Sequence, residues 1–296
     1  MCDVARENIV QEKFDAAIEK HLKHYYWDCL GLYDWRLRIE SRKDELARAK
    51  ANLKTIEQIA PFELKGKKML DVGCGWGGNV VAAAQIGTAV TGCDVDAEVL
   101  EVAELRAKIN DVYPELAQAP AEKLPFADNE FDYVQSICVL EHVENVEKSI
   151  SEMVRVLKPG GIGFVQAPNY WLPIEPHYKI LFPPKCPKSI AKIYLKLLAR
   201  PSQFIDTLNY IDPKMIRRHL ENSGTVVTDI HDKYSKLAGQ NYRVRNKPDY
   251  SSVPKATVLS YNAIACKVMG RAGTIVLNLY ERFFGMNHIY FLFRKN

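Results

Sequence analysis

From about residue 67 the chain alternates short apolar runs with amphipathic stretches of about a dozen residues. "KKMLDVG", "AVTGCDVD", "FDYVQSICVL" and "GIGFVQAPN" each read as a buried strand. Between them, "NVVAAAQIG", "AEVLEVAELRAKIN" and "VEKSISEMVRVL" carry the helical period, the first ending at Gly87 and the last before Pro159-Gly160-Gly161. Strands that alternate with helices of this length predict an α/β fold, a mostly parallel sheet covered on both faces. Residues 5–60 read as helices; "SRKDELARAKANLKTIEQIA" is the clearest, free of Gly and Pro. "GTVVTDIHDKY" and "NHIYFLFRKN" supply two further strands, separated by an insertion over 236–286 that is too long for a plain loop. The expected organisation is a helical cap over 1–62 and a main domain over 63–296, with lid elements at 171–210 and 236–286.

In parallel sheets the ligand lies beyond the carboxyl ends of the strands. That selects Asp71–Gly78, Asp94–Asp96, Cys138–His142 and Pro168–Tyr170 as the informative positions. Composition narrows the picture little: 47% hydrophobic and 26% charged residues are ordinary for a globular protein, and a net charge of +4 does not argue for nucleic acid. The lysines are not interleaved with an aromatic stacking platform, so nucleic acid is not expected as a partner. Seven scattered cysteines with no CxxC pair fit a reducing cytosol better than a disulfide framework or structural zinc. No signal peptide is apparent, and no segment reads as a membrane span.

The stretch "MLDVGCGWGGN" satisfies two glycine spacings, GxGxG and GxGxxG. A pyrophosphate needs backbone N–H groups with no anion nearby. Asp71, two residues before Gly73, would repel it and would instead attract the ammonium and sulfonium of S-adenosylmethionine. Asp94, 23 residues on, stands at the offset at which an acid reaches a ribose diol, and either ligand would use it.

With "VTGCDVD", "APAEKLPFADNEFDYV" and "LEHVENVEKSISEMVRVLKPGG" in this order, the chain resembles the class I (Rossmann-like) S-adenosylmethionine-dependent methyltransferases over about 67–170. The resemblance implies a seven-stranded, mostly parallel sheet and S-adenosyl-L-methionine as cofactor. It places Asp71, Gly73, Gly75 and Gly77 around the methionine moiety, Asp94 on the ribose, Val95 beside the adenine, Ala121 and Glu122 at its edge, and Cys138 beneath the sulfonium region. One departure is Pro120, which stands where an acid commonly accepts from the adenine amino group. Proline offers neither a side-chain acceptor nor an N–H, so Glu122 or a main-chain carbonyl is left for that task.

Transfer to a hydroxyl benefits from a base, and histidine is the usual one. His142, just past "SICVLE", and His177, in "NYWLPIEPHY", fall at strand exits and are the catalytic candidates; each also has a plain structural reading, as a helix-start and a turn residue. Quinone O-methyltransferases of this fold carry Glu-x-x-Glu-His at the "CVLEH" position. Here Cys138 replaces the first glutamate, so no metal ligands are assigned. The segment 187–200, "PKSIAKIYLKLLAR", combines apolar positions 190, 193, 194, 197 and 198 with Lys188, Lys192, Lys196 and Arg200 on another face. This suits either a lid packed over the sheet or a peripheral contact with an anionic membrane. The "TIVLNLYERFFG" run in the insertion raises the same pair of readings. The expectation is a cytoplasmic O-methyltransferase, membrane-associated if that contact forms, for a small-molecule, glycan or lipid-linked acceptor. Alternatives are a quinone or isoprenoid methyltransferase and a non-catalytic cofactor-binding partner subunit.

Overall fold

The computed structural model describes residues 2–32, 35–36, 45–172, 174–178, 180–181, 183–241 and 288–296. The insertion expected over 236–286, with its "TIVLNLYERFFG" run, lies outside the described residues from 242 onward. In chain order the elements are α1 (Cys2–Lys23), a π-helical turn (His24–Cys29), α2 (Glu45–Ile59), β1 (Lys68–Val72), α3 (Gly78–Ile86), β2 (Ala89–Asp94), α4 (Ala97–Ile109) and β3 (Glu115–Gln118). There follow β4 (Phe131–Ile137), α5 (Val146–Val156), β5 (Leu157–Pro168), a hairpin of β6 (Ile174–Glu175) and β7 (Ile180–Leu181), α6 (Lys188–Leu197), a 3-10 turn (Gln203–Thr207), α7 (Pro213–Asn222), β8 (Thr225–Asp229), α8 (His231–Asn241) and β9 (His288–Lys295).

Seven strands form one sheet in the order β3-β2-β1-β4-β5-β9-β8. The five on the β3 side run parallel, while β9 is antiparallel to both β5 and β8. The expected α/β architecture is therefore present. Its order reverses beside β1, so the loops after β1 and β4 diverge and leave a crevice at the carboxyl ends.

Local chemistry explains the helix starts. Asp96 caps α4 by accepting from the Glu98 and Val99 N–H groups, Asn145 caps α5 at Lys148, and Asp212 caps α7 at Met215, with Pro213 in the first turn. α5 buries Val146, Ile150, Met153 and Val154 on one stripe against Phe131, Val134 and Val165 of the sheet. On the opposite face α2 and α3 pack Leu53, Ile56, Val80 and Ala83 against Met69, Tyr133 and Phe164. A third core joins Ile18, Leu22 and Tyr26 near the N-terminus to Tyr178, Ala191, Leu195 and Ile205. α1 and the 171–210 region thus share one apolar cluster, whereas α2 belongs to the core of the sheet.

α6 turns most of its apolar stripe away from the core. It buries Ala191 and Leu195, both fully, while Ile190, Ile193 and Leu197 are 56%, 61% and 80% exposed. With Leu198 at 38%, the apolar stripe read from the sequence is thus turned outward at four of its five positions. Lys192 pairs with Asp206 and Lys188 donates to the Asp206 carbonyl, so part of the cationic stripe holds the helix to the following turn.

Gly163 on β5 stands opposite Phe293 on β9, and a methyl group at that position would lie 1.9 Å from the Phe293 ring. Gly163→Ala is expected to lower unfolding stability by about 1–3 kcal/mol through overpacking. Urea denaturation checks this, and Phe293→Leu in the same chain should recover part of the loss.

Candidate active site

β1 carries Asp71 to the sheet's carboxyl edge, where its side chain is 1% exposed. Oδ1 accepts a 2.9 Å hydrogen bond from Gln135 Nε2 on β4, and the Tyr133 hydroxyl donates to Gln135 Oε1 at 3.2 Å. Oδ2 has no partner. Burial, reinforced by Asp94 and Glu45 and opposed by the Gln135 hydrogen bond, lifts the Asp71 carboxyl to about 7. A buried carboxylate with one vacant oxygen at a strand exit fits a ligand cation, and it would oppose a phosphate.

The glycines of the following loop divide by cause. Gly73 and Gly77 adopt left-handed φ of 70° and 77°, where a Cβ would meet Val139 at 2.2 Å and Ala103 at 2.8 Å. Packing within the chain accounts for both. Gly75, at φ 53°, would direct a Cβ into open space, and its N–H donates to Asp94 Oδ2 at 2.9 Å. Asp94 Oδ1 accepts from the Asp96 N–H at 3.1 Å. The exits of β1 and β2 are therefore tied together through Asp94. Arg106 braces the same loop by donating to the Trp76 carbonyl at 2.8 Å and to Glu45 on α2 at 2.7 Å.

Val95 is 64% exposed beside Asp94. Ala121 and Glu122 lie in the turn after β3, but Glu122 Oε1 accepts from the Glu144 and Asn145 N–H groups at 2.7 and 3.1 Å. That oxygen ties the turn to the start of α5, where sequence reasoning had it available for an adenine edge. Cys138 has φ 56° at the β4 exit and is exposed, with Sγ 3.8 Å from Gln166 Nε2.

His142 and His177, separated by 35 residues, come together with ring centroids 5.2 Å apart and planes at 73°. Phe204 of the 3-10 turn lies against both, at 5.9 and 5.5 Å. Burial pushes the His142 imidazole down to about 4, with His177 acting in the same direction. Beneath them Glu141 is 1% exposed, its Oε2 unpartnered, and burial lifts it to about 7, partly offset by His177. Glu175, fully buried, has Oε1 2.7 Å from His177 Nδ1, and the Tyr170 hydroxyl lies 3.4 Å from that oxygen. Asn209 holds the turn from the other side: its N–H donates to the Glu141 carbonyl at 2.7 Å and its amide to the Val143 carbonyl at 2.6 Å.

Sequence reasoning missed Glu175 and Asn209. The short Glu-Pro-His spacing was the available signal for the first; nothing local marked the second. Among the described residues, Glu141, His142 and His177 are also the set that could hold a metal ion, one donor atom from each lying within 4.8 Å of the others. Two imidazoles and one carboxylate suit a borderline transition metal better than magnesium, which takes oxygen ligands.

Residues 70–165 match a family model described as a methyltransferase domain. A ubiquinone biosynthesis O-methyltransferase from Rhizobium etli is 29% identical over 172 residues, covering 52% of this chain and 69% of that protein. One of the same name from Brucella ovis is 36% identical over 110 residues, covering 37% and 44%. The match thus spans less than half of the second relative. In structure, the YcgJ protein of Bacillus subtilis superposes with a TM-score of 0.51 at 19% identity, over 83% of this chain and 98% of that one, which is a likeness of fold.

The raised Asp71 carboxyl makes a stability prediction. Its ordinary value is 3.8 and its folded value about 7, so between those limits the folded state binds the proton more tightly than the unfolded chain. The Asp71 contribution to stability therefore improves as pH falls from about 7 towards 4, and the full penalty applies above 7. Asp71→Asn should raise the unfolding temperature of the ligand-free protein at pH 8, and the gain should shrink towards pH 5. A gain independent of pH would contradict the assignment.

Proposed function

We propose that this chain, a class I (Rossmann-like) S-adenosylmethionine-dependent methyltransferase, methylates a hydroxyl oxygen on a partly apolar, lipid-linked or glycan-like acceptor. The convergence of His142 and His177 at the exits of β4 and β5 carries this reading, because it sets paired imidazoles at the carboxyl edge of the sheet.

When bound, the cofactor supplies a methyl group on a sulfonium whose departure leaves a neutral thioether. Asp71, through its vacant Oδ2, holds the ammonium; the backbone of Gly73, Gly75 and Gly77 lines the approach; and Asp94 takes the ribose hydroxyls. Val95 covers the adenine, with Ala121 and the free oxygen of Glu122 at its edge, and Cys138 borders the methyl-bearing end. His177 accepts the acceptor's proton. His142, neutral at physiological pH, orients the hydroxyl. The helical cap of 1–62, through α1, and the lid of 171–210 share an apolar core, and we read them as the wall of the acceptor site.

The outward apolar face of α6 supports a lipid-side reading. Ile190, Ile193 and Leu197 form a ridge with Lys196 exposed beside it, and Trp171, 55% exposed, has the Lys185 ammonium 4.9 Å from its ring centroid. Apolar side chains flanked by cations suit an anionic bilayer surface. Among the described residues no helix is long and apolar enough to cross a membrane, so the contact is peripheral in this reading.

A second reading is quinone O-methylation assisted by a divalent ion, favoured by the Glu141–His142–His177 donor set and by the names of the relatives. It predicts loss of turnover after chelation, restored by a borderline transition metal.

Methyl-labelled S-adenosylmethionine offered with separated lipid and soluble cell extracts tests the acceptor class. Label is expected in the lipid fraction, and label confined to the soluble fraction would overturn the lipid-linked assignment. With the acceptor in hand, His177→Ala should lower turnover at least about tenfold while the protein stays folded, and unchanged turnover would refute the base. Ile193→Asp with Leu197→Asp should abolish sedimentation with vesicles containing phosphatidylserine while leaving cofactor binding intact. Equal sedimentation of both proteins would refute the membrane contact.

A further inference from the structure

Resting on the reading of His177 as the proton acceptor, we infer that Glu175 is a positioning residue that fixes His177 as its Nδ1–H tautomer and leaves Nε2 to receive the acceptor's proton. The inference starts from the hairpin. Glu175 is the last residue of β6 and pairs with Ile180 on β7, so Pro176, His177 and Tyr178 occupy the connecting turn. Pro176 fixes its own φ, which narrows the paths the turn can take. The Glu175 carboxylate meets three polar groups there. Oε2 accepts from the Tyr178 N–H, Oε1 accepts from the Tyr170 hydroxyl at 3.4 Å, and Oε1 also lies 2.7 Å from His177 Nδ1. Both oxygens thus already serve as acceptors, and the same role toward the ring assigns the shared proton to Nδ1 and leaves Nε2 open.

The surroundings of His177 fit this role. Glu141 and His142 approach from the β4 exit, Tyr170 from the β5 exit and Phe204 from the 3-10 turn. Tyr170 reaches both partners, with its hydroxyl 3.3 Å from Nδ1, so it steadies the pair from the sheet side. In the transfer itself the acceptor's O–H bond breaks. Its proton passes to Nε2 and its electron pair stays on oxygen as the nucleophile. The ring then carries a proton on each nitrogen, and its positive charge lies against the Glu175 carboxylate. A buried carboxylate whose only task was to cap a turn would not need to touch Nδ1, whereas one that selects a tautomer must.

The test separates tautomer selection from turn capping and from the function itself. In wild-type protein, nitrogen-15 correlation spectra assigned by loss of signal in His177→Ala should show His177 protonated at Nδ1. Glu175→Gln keeps an oxygen for the Tyr178 N–H and places an amide against the ring. It should shift the tautomer towards Nε2–H and lower kcat at least about tenfold, with the KM for S-adenosylmethionine unchanged. Glu175→Asp should recover part of kcat. A wild-type spectrum with the proton on Nε2, or a Glu175→Gln variant with unchanged tautomer and unchanged kcat, would overturn the inference. If no acceptor is methylated by wild-type protein, the function reading fails while the spectra still decide the tautomer.

Discussion

The site depends on one hydrogen bond, from the Gly75 N–H to the Asp94 carboxylate. It joins the loop after β1 to the exit of β2 and so fixes the left-handed loop over the crevice where the order of the sheet reverses. The same tie leaves the loop's flanks to be held by packing. Val139 fills the space beside Gly73, Ala103 the space beside Gly77, and Arg106 anchors the Trp76 carbonyl between them. A backbone in this conformation would otherwise be strained for most residues and free to relax. Here its neighbours over-determine it and hold the loop in this conformation.

The two ends of the crevice differ in electrostatic character. At the β1 end a single buried carboxylate, Asp71, is held through one oxygen and vacant at the other. At the β4 and β5 end, two carboxyl groups and two imidazoles crowd together beneath Phe204. In our proposal the first arrangement takes the cationic end of the cofactor and the second the acceptor, set apart along one sheet edge.

Much of this was legible in the residues. The buried strands and the helices over 67–170 follow from hydrophobic period alone, because parallel strands buried on both faces leave long apolar runs; the half-exposed edge strand β3 has no such run and was not read. Within the glycine loop, Asp71 carried the choice of ligand through charge, while Asp94 suited either ligand. The short hairpin of 174–181 was not legible, since two-residue strands have no periodicity, and with it went the partner of His177. Which way α6 turns its stripe was left open for a related reason. A helical stripe shows that two faces differ, but which face is covered depends on the residues packed against it, here Tyr178 and Ile205 against Ala191 and Leu195. The use that one Glu122 oxygen finds within the chain was not legible, because its position in the turn sets it against open N–H groups at the start of α5, and those groups are visible only once the chain is folded.

The place of β9 bears on how the protein is made. β9 lies between β5 and β8, so β5 keeps an open edge until the chain has run from Pro168 to Lys295. While the polypeptide is still emerging from the ribosome, the β1–β5 half can assemble, but the unpaired backbone edge of β5 stays bare for about 120 further residues. Gly163 and Phe293 are then the two halves of a late closure, a ring laid over a glycine that only the finished sheet can bring together. During that interval the β5 edge is open to wrong pairing, a hazard that ends when β9 covers it.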